Sequence, residues 1–434
     1  MPFKQWLQKL FTFKRAEPAP AVAPGLYHAL QEEDGAYTRF HLRVERDGSG
    51  MLIADANAAA RLNPSGVLIA RGLQEGWDEA QILAALQAQF HGATEETLRE
   101  GVAQVEALFE SLASPGDQYP IFNLDDPALS PRGAQLIAPL QADVPLAPPE
   151  QLVPLLARLW EVGIPHVCFL APQTFEPQHL VRAVERAEDL GLIAGVRGTA
   201  TALGDEGLLA DLVQAGADYV RLLYAAADAE THDALCGAGD HAAAVAIYDW
   251  LEAREICAVA EVPLVAGTVE RLEETFAAMA ALGVDNIAFV AYATTDAALD
   301  DGALHADALP QVAALVEESS AQVQMRFLWE PPVQRDPAQP LAAQVLQGPR
   351  ASGDVSIRLE PDGTVIPPRG PYRPAGNLLT DEWERIWNDA AFRVYRERVE
   401  APTHCEHCPG LAICAADCPR EPAGWSQSTR GGAA

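Results

Sequence analysis

Residues 161–173 read Glu161-Val162-Gly163-Ile164-Pro165-His166-Val167-Cys168-Phe169-Leu170-Ala171-Pro172-Gln173. A helical stretch over 149–162 runs into a short turn, and 166–170 then follow as an apolar segment of strand length. The same succession recurs along the chain. Strands are expected at 119–124, 166–170, 193–196, 219–223, 257–265 and 286–291, with helices at 149–162, 177–190, 206–215, 242–253 and 269–282. Short apolar strands alternating with amphipathic helices demand a parallel sheet with helices outside it. The expected class is α/β. Six units over 118–330 suit a partial (β/α)6 TIM-like barrel, and a seventh strand near 324–329 would extend its edge.

Ahead of the barrel, 25–115 read as a small separate α+β domain. Residues 39–46 alternate like a strand, Asp47-Gly48 turns the chain, and 51–54 return. Asn63 is placed to cap a helix entered at Pro64. An amphipathic helix follows over 78–90 with Ile82, Leu83, Leu86 and Phe90 inward. Another spans 94–112 with Leu98, Val102, Val105, Leu108 and Phe109 on one face. A short ribbon with three helices is a winged-helix plan. Its last helix is acidic, carrying Glu95, Glu96, Glu100 and Glu106, which disfavours DNA.

Before that domain, residues 1–24 form an amphipathic segment and an Ala/Pro linker. Phe3, Trp6, Leu7 and Leu10 recur at helical spacing between Lys4, Lys9 and Lys14, the chain's only lysines. Such a segment suits contact with an anionic membrane surface or a partner. At the other end, Cys405, Cys408, Cys414 and Cys418 form a C-x2-C-x5-C-x3-C array within 350–420, and 421–434 read as a flexible tail. Thiolates at this spacing converge on one metal centre, an iron–sulfur cluster or a tetrahedral zinc. His404 and His407 flank the array as surface imidazoles or substitute ligands.

The hairpin-like Asp362-Gly363-Thr364-Val365-Ile366-Pro367-Pro368, then Gly376-Asn377-Leu378, Glu384-Arg385-Ile386-Trp387-Asn388 and the cysteines resemble the SPASM (or twitch) extension of radical SAM enzymes. Residues 161–167, the segment Ala229 to Gly237 and Ala281-Leu282-Gly283-Val284-Asp285 are similar to stretches of radical SAM barrels. Leu62-Asn63-Pro64-Ser65-Gly66-Val67-Leu68-Ile69 with the two helices after it resembles PqqD-like domains, which bind the leader of a ribosomally made precursor peptide as an added strand. The resemblance implies a radical SAM/SPASM-type protein of ribosomal-peptide (RiPP) maturation, with a peptide partner and one C-terminal [4Fe–4S] cluster; zinc stays open as the alternative.

It equally implies what is missing. Radical SAM chemistry needs C-x3-C-x2-C just after the first strand, yet no cysteine precedes Cys168. The family's Gly-Gly-Glu corresponds to Ala171-Pro172-Gln173, which lacks one N–H and the negative charge. Its S-x-D-G corresponds to Leu223-Tyr224-Ala225-Ala226. SAM binding is therefore not expected, and no catalytic residue is assigned. The expected role is that of a pseudoenzyme accessory beside an intact radical SAM partner. A peptide-modifying enzyme using non-SAM chemistry and a zinc-stabilised adaptor remain the alternatives. Asp125, Asp126, His232 and Asp233 are placed near the barrel mouth without a role. Cys168 and Cys257 read as core residues, and Cys236 as an inert thiol in a loop.

Composition adds bounds. A net charge of −31 argues against nucleic acid and suits a cationic peptide. No stretch of about twenty apolar residues occurs, the length a membrane span needs. Clustered cysteines without a secretory signal point to a reducing, cytoplasmic setting.

Overall fold

The computed structural model describes residues 20–33, 36–55, 58–113, 136–254, 256–284, 286–294, 302–331, 333, 338–348, 356–368 and 373–393. The segment 1–19, the expected strand at 119–124, Asp125, Asp126, His404, His407 and the four cysteines of the array lie outside the described residues.

The N-terminal part is a four-stranded antiparallel sheet in the order β1 (Gly25–Glu33), β2 (Ala36–Val44), β3 (Gly50–Ala54), β4 (Ala58–Leu62). Three helices follow: α1 (Pro64–Gln74), α2 (Glu79–Gln89) and α3 (Glu95–Ala113). The sequence expected only the middle two strands. The outer pair escaped because β1 is largely exposed and β4, Ala-Ala-Ala-Arg-Leu, has no strand-like composition. The Asn63 side chain accepts from the Gly66 amide at 2.8 Å and fixes the start of α1. Asp78 and Gln81 form a reciprocal capping box that starts α2. Strand period does the rest. Phe40, Leu42 and Val44 of β2 point to the helices, where the Phe40 and Phe109 rings lie 4.6 Å apart. Burying each such side chain contributes about 1.5–3 kcal/mol.

The alternate residues of the same strand, Arg39, His41 and Arg43, face the other way, onto the barrel. Arg39 donates to the Leu192 carbonyl, Arg43 to the Pro139 carbonyl, and His41 Nε2 to the Gly191 carbonyl. Met51 and Ile53 of β3 pack on Leu140 and Ile193. The sheet is thus sandwiched between its own helices and the end of the barrel where the parallel strands begin.

That barrel is a curved run of seven parallel strands: β5 (Gln141–Pro145), β6 (His166–Leu170), β7 (Ile193–Gly198), β8 (Tyr219–Leu223), β9 (Ala258–Leu264), β10 (Asn286–Ala291) and β11 (Arg326–Glu330). They pair in chain order. The strand beside β6 is β5, which the sequence reading missed because its alternate positions are polar and face the barrel interior. Helices α4 (Pro149–Val162), α5 (Pro177–Leu190), α6 (Glu206–Gln214), α7 (Ala229–Cys236), α8 (Asp240–Glu252), α9 (Leu272–Ala281) and α10 (Leu309–Val323) supply the crossovers. Gly163 ends α4 in the left-handed region, φ +93°, where a side chain would also strike Ile137. Val144, Phe169, Val196, Leu222, Val262 and Phe289 form the helix-facing core.

Three more strands continue the sheet beyond β5: β12 (Ser356–Leu359), parallel to it, then β13 (Thr364–Ile366) and β14 (Gly376–Asn377), both antiparallel. The expected Asp362-Gly363 turn joins β12 to β13. A short helix α11 (Trp383–Trp387) closes the described extension. No described helix is long and apolar enough to cross a membrane.

His41 makes the junction acid-sensitive. Burial, opposed by the Gly191 hydrogen bond, lowers its pKa to about 3. An unfolded histidine protonates below about 6.5, so the unfolded chain binds the extra proton as pH falls from there. Folding stability contributed by neutral His41 is then lost from pH 6.5 downward, by about 1.4 kcal/mol per pH unit. The stability gap between wild type and His41→Gln is expected to narrow at that rate between pH 6 and 4 in urea unfolding. A pH-independent gap would show that His41 is not held neutral.

Candidate functional site

Parallel barrels place their sites where the strands end, and there β5 is followed by only Leu146, Ala147 and Pro148 before α4 begins at Pro149. Pro148 and Pro149 fix an extended entry and a helical first position. A three-residue apolar connection without a cysteine has neither the length nor the ligands for a cluster-binding loop. After β6, Gln173 turns its amide to the Thr199 hydroxyl at 3.2 Å. After β8, Tyr224 is buried and packs edge-on against Tyr248, while its amide donates to the Glu261 carbonyl at 2.8 Å.

The concave face of the sheet is filled from below. Tyr219 of β8 lies across Gly195 of β7 to meet His166 Nε2 at 2.8 Å. A Cβ built on Gly195 would fall inside the Tyr219 ring, so this position needs glycine for space. Burial lowers His166 to about 4, so it stays neutral, and it raises the neighbouring Cys168 thiol to about 12. Cys168 is buried and un-ionised, as expected of a core residue. Cys257 is half-buried just ahead of β9.

Above that layer runs a chain of charges. Arg197 grips Glu261 with two bonds, Nε to Oε2 at 2.7 Å and Nη2 to Oε1 at 2.5 Å. Arg221 Nε donates to the same Oε2 at 2.6 Å, and its Nη2 reaches Glu330 at 2.9 Å. Burial pushes the Glu261 carboxyl up, but Arg221 and Arg197 overcome this and hold it below its ordinary value. Arg221 is kept charged, well above its ordinary range, by Glu261 and Glu330 against its own burial. Asp143 of β5 is pushed up by burial, with Arg197 opposing. Strands β7, β8, β9 and β11 are therefore bolted together across the barrel interior, and these donors and acceptors are spent on one another.

A second group gathers at the end of β8. His232, Cys236 and Asp240, all buried, bring their polar atoms within 4.8 Å of one another. They have the chemistry of a metal site but not the free lone pairs. His232 Nε2 meets Asp240 at 3.0 Å, while its Nδ1 accepts the Ala225 amide at 3.2 Å. The imidazole is thus fixed as the Nε2–H tautomer with both nitrogens used. Thr201 donates twice to the other Asp240 oxygen, each at 2.7 Å. Burial and Asp240 push the Cys236 thiol up to about 12. This clamp, an imidazole on a buried carboxylate whose pKa burial pushes up but hydrogen bonds hold below its ordinary value, ties the Tyr224–Ala226 turn to α7 and α8. Cys236 is thereby corrected from a loop to a buried helical position. The Asp233 carboxylate is engaged at the start of α8, where it accepts the Gly239 and His241 amides.

No protein-family model matches the sequence, and no curated protein matches it. Solved structures do. The chain is similar to Streptococcus suis SuiB bound to S-adenosylmethionine, with a TM-score of 0.56 at 12% identity over 90% of this chain and 95% of that one. It is likewise similar to SuiB bound to precursor peptide SuiA, with a TM-score of 0.55 at 13% identity over the same shares. The likeness shows the fold, an open α/β barrel like that of SuiB.

Proposed function

We propose that the protein is a degenerate member of the radical SAM/SPASM class that acts in the maturation of a ribosomally made peptide without cleaving SAM. The observation that supports this is in the barrel: the Leu146–Pro148 connection after the first strand carries no cysteine, and Arg197, Glu261, Arg221 and Glu330 pair with one another across the interior. On this reading the residues present do not fit SAM with its cluster: no cysteine precedes Cys168, and Ala171-Pro172-Gln173 offer neither the full set of amides nor a negative charge. In this reading the N-terminal sheet is a PqqD-like recognition element. The array Cys405, Cys408, Cys414 and Cys418 holds one [4Fe–4S] cluster, with zinc as the alternative, in a SPASM-like extension. An intact radical SAM enzyme performs the chemistry. The SuiB structure with its precursor peptide supports a peptide partner by likeness of fold.

Strands β1 and β4 are the outer strands of the four-stranded sheet, the position that β-augmentation uses. The exposed acids of α3 favour a leader with basic residues. Full-length protein titrated with the co-encoded precursor is expected to bind with a Kd of order micromolar, about −8 kcal/mol, weakening as salt rises. Failure to bind that peptide, together with binding of duplex DNA at physiological salt, would replace this reading with a regulatory one.

A further inference from the structure

The pair Arg43–Glu45 sits where a free-standing domain would be wet. Both belong to the face of the N-terminal sheet turned away from its own core, yet Arg43 is 0% and Glu45 4% exposed. What covers them is the strand leading into β5. The Glu45 Oε2 accepts the Ile137 amide at 2.7 Å, and Arg43 donates to Glu45 Oε1 at 2.7 Å and to the Pro139 carbonyl at 3.0 Å.

The other side of that strand is held from the far end of the chain. Trp383 Nε1 donates to the Ile137 carbonyl at 2.7 Å, and Trp387 Nε1 to the Leu136 carbonyl at 3.1 Å. The Leu136 carbonyl and the Ile137 amide belong to one peptide unit. Glu45 therefore pulls on the N–H of the very group whose oxygen receives Trp387, and hydrogen bonds in series polarise one another. The two indoles stack at 5.8 Å and 19°, so they move as one plate. An exposed ion pair, Arg46–Glu384 at 3.0 Å, runs alongside. Exposed pairs contribute little; the buried relay is the connection that matters.

We propose that Glu45 is a positioning residue for the C-terminal extension. Through the 136–137 peptide it sets the seat of α11, the helix from which the chain departs toward Cys405. The N-terminal sheet is then a fixed part of the platform that carries the cysteine segment, whether or not it also binds peptide.

Hydrogen exchange of the full chain, followed by mass spectrometry, reads this locally. Glu45→Ala leaves the buried Ile137 donor unsatisfied and Arg43 without its counter-charge, and exchange over 376–393 is expected to quicken at least about tenfold, the scale of one lost buried partner. Exchange in α1 and α2 should stay within about twofold of wild type. Glu45→Gln, which keeps an acceptor for Ile137, should restore most of the protection, and Glu384→Ala should change nothing. Coupling is reciprocal, so Trp387→Phe should quicken exchange around 45–50, and this arm stands even if Glu45→Ala folds poorly. Unchanged exchange over 376–393 in Glu45→Ala, or a uniform increase along the whole chain, would overturn the proposal.

Discussion

Glu261→Ala is expected to destabilise the barrel by about 3–5 kcal/mol, the cost of leaving a buried charge without its partner. Glu261 is 2% exposed and takes three charge-assisted bonds from Arg197 and Arg221. Removing it leaves Arg197, part-exposed, with Asp143 nearby, and Arg221 with Glu330 as its bonded partner. The loss should appear in the urea midpoint of the transition that reports the barrel. Replacing Arg197, Arg221 and Glu261 together by Met, Met and Leu should instead be close to neutral, since desolvation of ions offsets most of their attraction. That contrast is informative. A ladder whose function was to hold a ligand would leave stability little changed on losing one member, whereas an internal bolt would not. Equal effects of the single and triple replacements would refute the bolt.

The second large effect is on metal. Anaerobically purified protein is expected to be brown with about four irons per chain, the stoichiometry of a cluster held by four thiolates. Cys408→Ala should remove the colour and most of the iron, because three thiolates leave one iron without a protein ligand. Iron and zinc analysis with an absorption spectrum checks this. A colourless wild type with one zinc per chain would assign the array to a structural tetrahedral site.

Much of the barrel was legible in the sequence because a parallel strand covered on both faces reads as an unbroken apolar run. Segments 167–170 and 287–291 show it. The same rule explains the miss at β5. Gln141 and Asp143 put polar side chains on alternate positions, and a five-residue strand of that kind carries no run to detect. The ladder was written in plain view as single charges inside apolar strands: Arg197, Arg221, Glu261 and Glu330. Each alone is an anomaly, and only the parallel register brings them together. His232 was noticed, but its partner Cys236 lies one helical turn on, Asp240 opens the next helix, and the Ala225 amide that completes the clamp has no side-chain signature. The junction at Glu45 was invisible for a different reason. It joins residues from three distant parts of the chain through backbone groups, which every sequence possesses.

The absence of reductive SAM cleavage is the claim most exposed to test. Full-length protein, reconstituted with iron and sulfide under anaerobic conditions and reduced with dithionite, is incubated with SAM and assayed for 5′-deoxyadenosine by liquid chromatography and mass spectrometry. No product above a cluster-free control is expected on the proposed reading, because no cysteine precedes Cys168 to hold the catalytic cluster. Turnover above that control would contradict the proposal.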